Sequence, residues 1–119
     1  MQLEFAEGAF DVVCAFGVLH HASDHARAVE EMLRVADRAI LISDSNNFGQ
    51  GRPLVRALKQ GLRALQLWPL ADWLKTRGKG YTITEGDGLA YSYSVFSDYE
   101  RIRARCTRVH VVIRTPRRA

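Results

Sequence analysis

Two apolar runs flank a segment of mixed character in the first 44 residues. The first run is Phe10–Leu19 (FDVVCAFGVL), and the second is Ala39–Ser43 (AILIS). Both are nearly continuous rather than alternating, which is typical of strands buried on both faces of a parallel sheet covered by helices. The pattern therefore predicts two buried parallel strands.

The segment between the runs has the spacing of an amphipathic helix. Apolar residues from Val29 to Ala36 recur at i, i+3, i+4 and i+7, so they share one face of the predicted helix. Ser23 or Asp24 is a natural N-cap for it. The crossover is long enough for parallel pairing, so residues 1–44 are predicted to form one βαβ unit.

Beyond this unit the pattern changes to loops and shorter helices. Asp44–Gly51 (DSNNFGQG) is predicted as a loop at the carboxyl end of a strand, where ligands bind in open α/β sheets. Pro53 suits the first turn of a helix, and Leu70–Thr76 is predicted as a further short helix. Arg77–Gly88 holds four of the nine glycines and is predicted as an irregular loop.

The C-terminal part is predicted to contain an extended segment, a helix and a strand. Leu89–Phe96 (LAYSYSVF) alternates large with small or polar residues, which favours an extended conformation. Ser97-x-x-Glu100 has the form of a capping box and predicts a short helix through Arg105. Thr107–Ile113 (TRVHVVI) is predicted as the last strand.

Length and composition fit one soluble globular domain. The chain has 119 residues, of which 47% are hydrophobic and 25% charged, unlike a disordered or fibrous protein. No apolar run approaches the ~20 residues of a membrane span, so no membrane partner and a cytoplasmic location are expected. Cys14 and Cys106 fit neither a Cys-x-x-Cys motif nor a disulfide framework, and Cys14 is predicted to be buried.

Positive charge is concentrated in two places. From Arg101 onward there are seven arginines and no acid, including a basic tail at 114–119, whereas the first hundred residues carry a net charge of −3. A basic stripe also lies almost opposite the leucines at 54, 58, 62 and 65; it consists of Arg52, Arg56, Lys59 and Arg63. The stripe could meet nucleic acid or an anionic membrane, but a solvated face is favoured, and nucleic acid is not expected as a partner.

Two adjacent histidines follow the first apolar run. Unperturbed histidine titrates near neutrality, so His20 or His21 could orient a bound substrate or act as a base, unless one merely caps the turn or packs. The run from His20 to His25 is also similar to the His-x-His-x-Asp-His pattern of metallo-hydrolases. Ala22 stands where the second histidine would be, so no metal site is predicted.

The stretch Phe5–Asp44 resembles the second half of the class I S-adenosylmethionine-dependent methyltransferases that act on small molecules. The resemblance is carried by seven motifs in register: Leu3-Glu4-Phe5, Glu7, Phe10-Asp11, Val18-Leu19-His20-His21, Asp24, Glu31-Met32-Leu33-Arg34-Val35 and Ile40-Leu41-Ile42-Ser43-Asp44. Glu4 departs from the usual proline of this family. The hairpin before the second strand, usually Pro-Gly-Gly, is shortened to Ala36-Asp37-Arg38.

This resemblance implies an α/β fold with a partial Rossmann-like methyltransferase sheet. Phe10–Leu19 would be the family's fourth strand, Ala39–Ser43 the fifth and Thr107–Ile113 the sixth. Strands one to three, with the glycine-rich cofactor loop, and the last strand, strand seven, would be missing. Residues 45–96 would supply substrate-side loops and helices. Strand four would then expose an unpaired edge to water, which is unfavourable for a strand apolar on both faces.

The resemblance also implies methyl transfer from S-adenosylmethionine to a small or medium-sized acceptor. His20 and His21 are the candidate catalytic residues, and Phe16, Gly17 and Val18 would border the methionine part of the cofactor. Candidate acceptor-binding residues are Asp44, Asn46, Asn47 and Tyr81, with Tyr91 and Tyr93 as further pocket residues. The alternative for these side chains is turn chemistry for the asparagines and packing for the tyrosines.

The isolated chain is expected to have little activity, because the cofactor loop would be absent. Two other interpretations remain open. One is a non-enzymatic remnant or subunit that completes its sheet with another chain, which would supply the missing half-domain. The other is a nucleic-acid-associated module, motivated by the arginine tail and the basic stripe.

Overall fold

The computed structural model of the chain describes residues 2–44, 52–86 and 88–112. The strands and helices, in chain order, are β1 Phe10–Phe16, α1 His25–Val35, β2 Ala36–Ser43, α2 Pro53–Ala64, α3 Trp68–Thr76, β3 Tyr81–Thr84, β4 Gly88–Tyr91 and α4 Tyr99–Arg105. Short 3-10 turns lie at Leu19–His21 and Val95–Asp98. The fold is therefore a mixed α/β arrangement with small sheets, as predicted at the level of fold class.

The predicted parallel βαβ unit is confirmed, but its strand bounds differ. β1 ends at Phe16 rather than Leu19, and β2 begins at Ala36, so the predicted hairpin Ala36-Asp37-Arg38 is wrong and belongs to the strand. β1 pairs in parallel with β2, and Val13 lies opposite Ile40 while Ala15 lies opposite Ile42. The connecting helix α1 begins after Asp24, whose side chain accepts a hydrogen bond from the Arg27 amide at 3.0 Å. Asp24 is thus the N-cap, because its carboxylate satisfies an amide that the first helical turn leaves without a partner.

Helix α1 covers one face of the two-stranded sheet. Its buried residues include Val29, which is fully buried, and Met32. The core also includes Ala28 of α1. It continues through Leu19 from the turn after β1 and through Tyr93 and Ile102 from the C-terminal part of the chain. Inward-facing residues of both strands pack against this cluster: Val13, Ala15, Ile40 and Ile42. The core therefore joins the first 44 residues to the last twenty described.

The expectation that both strands are buried on both faces is wrong for this chain. The face of the sheet away from α1 carries exposed apolar side chains, namely Phe10, Val12, Phe16 and Leu41. Cys14, predicted to be buried, is exposed on the same face. Alternate residues of a strand point to opposite faces, and α1 packs on one of them only.

A β-hairpin replaces part of the predicted irregular loop 77–88. β3 and β4 pair antiparallel, with Tyr81 opposite Tyr91 and Thr84 opposite Gly88. The turn that joins them uses Gly86 in a left-handed conformation, with φ +97, which glycine adopts without steric cost. The predicted extended segment Leu89–Phe96 is a strand only through Tyr91, and its end forms the 3-10 turn that starts at Val95.

The predicted C-terminal helix is present, but its predicted capping box is wrong. α4 begins at Tyr99, and its N-cap is Asp98, which makes no side-chain capping hydrogen bond. The preceding 3-10 turn is capped instead by Ser94, whose hydroxyl accepts from the Phe96 amide at 3.4 Å. Ser97 lies inside that turn, so it cannot serve as the N-cap of α4.

The last predicted strand, Thr107–Ile113, is wrong over the residues that are described. Residues 107–112 have irregular backbone, and Ile113 lies outside the described residues. A strand needs a neighbour for its backbone groups, and within the described ranges each sheet has two strands only. No helix in these ranges is long and apolar enough to cross a membrane.

Candidate functional site

The carboxyl ends of β1 and β2 meet beneath the 3-10 turn Leu19–His21. Parallel strands end on the same side of a sheet, so this position follows directly from the βαβ connection. Gly17 leaves β1 with its amide donating to the Ser43 carbonyl at 2.7 Å. Asp44 follows Ser43 immediately and faces the start of the turn. The sequence therefore brings the two histidines and Asp44 together, as the parallel pairing required.

The Asp44 carboxylate holds the histidine turn through three contacts. Its Oδ2 accepts from the backbone amides of Leu19 and His20, at 2.8 and 3.3 Å. Its Oδ1 lies 2.6 Å from Nδ1 of His20, and the Asp44 side chain is fully buried. A carboxylate can accept several hydrogen bonds, and these contacts fix both the backbone and one ring of the turn. Asp44, predicted to bind the acceptor, thus uses both oxygens within the chain.

Hydrogen-bond chemistry defines which ring nitrogen of each histidine carries the proton. Nδ1 of His21 lies 2.6 Å from the Leu89 carbonyl, and a carbonyl only accepts, so Nδ1 is the donor. Nδ1 of His20 likewise faces an acceptor, the Asp44 carboxylate. In both neutral rings the basic nitrogen is therefore Nε2. The rings lie close together, with centroids 3.9 Å apart.

The two histidines differ in accessibility. The His20 side chain is only 13% exposed, and its Nε2 has almost no contact with solvent. His21 is exposed. The ring of His21 is therefore accessible from solvent, whereas the ring of His20 is mostly buried against Asp44. Solvent accessibility thus distinguishes the two adjacent histidines, a distinction that the sequence alone did not make.

The predicted cofactor-binding residues form an exposed corner at the end of β1. Phe16 and Val18 are 62% and 55% exposed. Gly17 has φ +61, and a Cβ placed on it would meet no atom of the described residues within 4 Å. Glycine is thus needed here for its backbone conformation, and no described residue fills the space beside it. This corner is exposed, so it is compatible with the contact predicted from the resemblance, in which these three residues border the methionine part of the cofactor.

The predicted acceptor-binding residues are not all brought to the histidine turn. Tyr81 lies on β3, where its ring meets that of Tyr91 edge to face, with centroids 6.3 Å apart. The hairpin contacts the histidine turn through the Leu89 carbonyl on β4, whereas Tyr81 lies on β3. Asn46 and Asn47 lie outside the described residues.

A second polar cluster beside the turn was missed by the sequence analysis. Nδ1 of His25 lies 2.8 Å from Oδ2 of Asp98, and Asp98 is 2% exposed. Arg101 pairs with the same carboxylate at 3.6 Å and with Glu30 on α1. These contacts tie α4 to the start of α1. No local spacing signals them, because His25 and Asp98 are 73 positions apart.

Tyr93 lies within this second cluster rather than in an open pocket. Its side chain is almost completely buried, and its ring contacts that of His25, with centroids 4.8 Å apart. Burial raises the pKa of the Tyr93 hydroxyl above its ordinary value, and the carboxylates of Asp98 and Asp44 raise it further. Tyr93 therefore stays protonated at neutral pH. It packs in the core, which agrees with the packing role given above as the alternative to a role in the acceptor pocket.

The Glu-Met-x-Arg-Val motif of α1 has a direct structural role. Arg34 forms two hydrogen bonds of 2.9 Å to the Glu31 carboxylate and also donates to the backbone carbonyls of Phe5 and Leu3, at 2.8 and 3.1 Å. Glu31 in turn accepts from the Leu3 amide at 2.8 Å. The hydrogen bond from Arg34, then that from Leu3, lowers the pKa of Glu31 to about 2. The pair clamps the segment that leads into β1.

No metal centre is visible in the part of the chain that the structure describes. Within residues 2–44, 52–86 and 88–112, no group of three His, Cys, Asp or Glu side chains is arranged to hold a metal ion. His20 and His25 each pair with a different aspartate.

Comparison with known proteins gives one match. Residues 1–39 match the family model described as a methyltransferase domain. The matched stretch includes β1, the histidine turn, α1 and the first part of β2. No curated protein and no solved structure matches the chain.

Proposed function

We propose that this chain, whose residues 1–39 match a methyltransferase domain, belongs to a class I S-adenosylmethionine-dependent methyltransferase-type domain and carries the acceptor side of its methyl-transfer site. At family level the activity is S-adenosylmethionine-dependent methyl transfer. We take the acceptor to be a small or medium-sized molecule. The observation that carries the proposal is the Asp44-held histidine turn at the carboxyl ends of two parallel strands, within and next to the matched stretch. That edge of an α/β sheet is where ligands bind.

The end of β1 would hold one side of the cofactor. When bound, S-adenosylmethionine supplies an electrophilic methyl group on its sulfonium. Phe16, Gly17 and Val18 would border its methionine part, and the space beside Gly17, which no described residue fills, supports this assignment. Methyl transfer is an in-line displacement, so the main task of these residues is to keep the reacting groups aligned.

His21 would accept the proton that the acceptor loses. Its Nδ1–H donates to the Leu89 carbonyl, so Nε2 is the basic nitrogen of the neutral ring, and the side chain is exposed. An acceptor hydroxyl or amine hydrogen-bonded to Nε2 would lose its proton there as its oxygen or nitrogen takes the methyl group. Asp44 acts as a positioning residue, because it holds His20 and the backbone on which His21 stands.

The 119-residue chain by itself would have little activity. The described residues supply the exposed corner at Phe16–Val18 and the histidine turn, which border a cofactor from one side only. Calorimetry with S-adenosylmethionine tests this directly. No saturable binding at micromolar concentration is expected for the purified chain. Saturable micromolar binding by the chain alone would overturn the expectation that it is inactive.

The assignment of His21 is tested in a complex with any polypeptide, such as one encoded immediately upstream, that supplies the cofactor-binding half of a methyltransferase domain. That complex is expected to bind S-adenosylmethionine and to transfer labelled methyl groups. His21→Ala should lower kcat by about 10²–10⁴-fold with little change in the KM for S-adenosylmethionine. His110→Ala, at another exposed histidine, is the matched control and should leave kcat unchanged. A complex that fails to bind the cofactor, or one that is insensitive to His21→Ala, contradicts the proposal.

A second candidate function is a non-enzymatic subunit that completes its sheet with another chain. The exposed face of β1 and β2, with Phe10, Phe16 and Leu41, favours it, because apolar surface of this kind usually marks an interface. Size-exclusion chromatography of the chain, alone and with the upstream-encoded polypeptide, distinguishes the two arrangements. A monomer that melts cooperatively and ignores the other polypeptide counts against a subunit role.

A further inference from the structure

The helices α2 and α3 carry a row of apolar side chains that nothing in the described chain covers. α2 has no buried residue. Leu54, Leu58 and Leu65 are 82%, 62% and 69% exposed, and they lie on one face of the helix. α3 continues the pattern with exposed Leu70, Trp73 and Leu74. Several large apolar side chains exposed on the same helical face are a feature of binding surfaces.

The same two helices are strongly basic. Residues 52–79 contain seven lysines and arginines against a single acid. That acid is Asp72, whose Oδ1 accepts a hydrogen bond from the Ser92 hydroxyl at 2.5 Å. The positive charge lies along the polar side of α2 and around the end of α3: Arg52, Arg56, Lys59, Arg63, Lys75, Arg77 and Lys79. The partner of this surface must therefore be both apolar and anionic.

We propose that α2 and α3 dock on an anionic lipid bilayer, lying in the plane of its surface. Leucines and a tryptophan on one face, with lysines and arginines on the other, are the pattern of interfacial amphipathic helices. The apolar row would enter the headgroup boundary, and the long basic side chains would reach the lipid phosphates. Nucleic acid fits less well, because it would satisfy the cations and leave the leucines in water. This surface is separate from the histidine turn, and its role does not depend on methyl transfer.

The test uses the full 119-residue chain and two kinds of vesicle. Phosphatidylcholine vesicles are compared with vesicles that contain phosphatidylglycerol at about 30 mol%. Both tryptophans of the chain, Trp68 and Trp73, lie in α3, so their fluorescence reports directly on this surface. With anionic vesicles the chain should co-sediment and its emission should shift to shorter wavelength. Neutral vesicles should give at least about tenfold weaker binding.

Matched variants identify the surface. Leu58→Ser with Leu65→Ser, and separately Arg56→Gln with Lys59→Gln and Arg63→Gln, should each weaken binding at least about tenfold. Ile83→Ser is the control, because Ile83 is 72% exposed on β3, outside the two helices, and its loss should change nothing. All these positions are exposed except Lys59, which is half-buried. Unchanged circular dichroism shows that the variants fold.

Three results overturn the proposal. One is the absence of co-sedimentation with anionic vesicles at millimolar lipid. Another is binding that Ile83→Ser weakens as much as the leucine variant does. The last is self-association through the same leucines, seen by analytical ultracentrifugation, with no lipid binding; this would assign the surface to a second copy of the chain. None of these results bears on His21, so they leave the proposed methyl-transfer site as it stands.

Discussion

Nδ1 of His20 lies 2.6 Å from Oδ1 of Asp44, across 24 positions of sequence. This contact joins the turn after β1 to the end of β2. It exists because the two strands run in parallel and end side by side. The same carboxylate also accepts from two backbone amides of the turn, so one buried side chain determines how both histidines are presented.

Asp44→Asn should destabilise the fold by about 1–3 kcal/mol. The amide has one acceptor oxygen, and its NH₂ group would face donors that the carboxylate now satisfies. Urea denaturation measures the effect. Asp11→Asn is the matched control: Asp11 pairs with Arg38 at 3.1 Å, but both side chains are about three-quarters exposed, so its loss should change stability by less than about 0.5 kcal/mol. Equal losses of unfolding free energy in the two variants would show that the Asp44 hydrogen bonds stabilise the fold no more than an exposed ion pair does.

Glycine-to-alanine substitutions at two positions should have opposite signs. Gly17 has φ +61, so Gly17→Ala should cost about 1–2 kcal/mol, although no described residue crowds the new methyl group. Gly61 lies within α2 with open space around it, so Gly61→Ala should stabilise that helix by up to about 1 kcal/mol. Thermal or urea unfolding of both variants measures the difference. A Gly17→Ala variant as stable as the parent contradicts the argument from backbone conformation.

The clamp on the segment before β1 should be lost in acid. The pKa of Glu31 is lowered from an ordinary value of 4.5 to about 2, first by Arg34. Because the folded value is the lower one, the stabilisation is complete above pH ~4.5 and is lost as the pH falls towards 2. The amide shift of Leu3 should follow this change, with a midpoint near 2.

Two variants separate this titration from general acid effects. Glu31→Gln should remove the low-pH step in the Leu3 amide shift, because the amide side chain does not titrate. Glu4→Gln, at an exposed position of the same segment, should leave the step in place. A midpoint near 4.5 in the parent chain would mean that Arg34 does not hold Glu31 as described.

The protonation state of His21 gives an independent check of the site. At a pH where the ring is neutral, its proton should sit on Nδ1, because that nitrogen donates to the Leu89 carbonyl. Long-range proton–nitrogen NMR spectra distinguish the two ring nitrogens, and exposed His110 serves as an internal reference. A proton found on Nε2 would remove the basis for His21 as a proton acceptor.

The sequence predicted the features that depend on neighbouring residues. Two continuous apolar runs and one helical period predicted β1, α1 and β2. Parallel pairing of these strands also places His20, His21 and Asp44 at the same edge of the sheet. The sequence also offered Asp24 as one of two candidate N-caps of α1, because an N-cap is a local feature next to the helix that it caps. These features follow from local periodicity and from the way parallel strands must be connected.

Features that depend on distant contacts could not be predicted in this way. The pairing of His25 with Asp98 links two helices through the tertiary fold, and no local spacing signals it. The exposed outer face, with Phe10 and Phe16, reflects which elements cover the sheet, whereas the sequence shows only that the residues are apolar. Ser97 was assigned as a cap because the competing turn capped by Ser94 has no strong sequence signal.

The most direct test of the account is a titration of the isotopically labelled chain with S-adenosylmethionine, followed by two-dimensional proton–nitrogen NMR. The account predicts weak binding, not saturated below about 1 mM, with shift changes confined to residues 16–21 at the end of β1 and in the histidine turn. Shift changes centred elsewhere, or none at all at 10-fold higher concentration, would contradict the claim that this turn borders the cofactor.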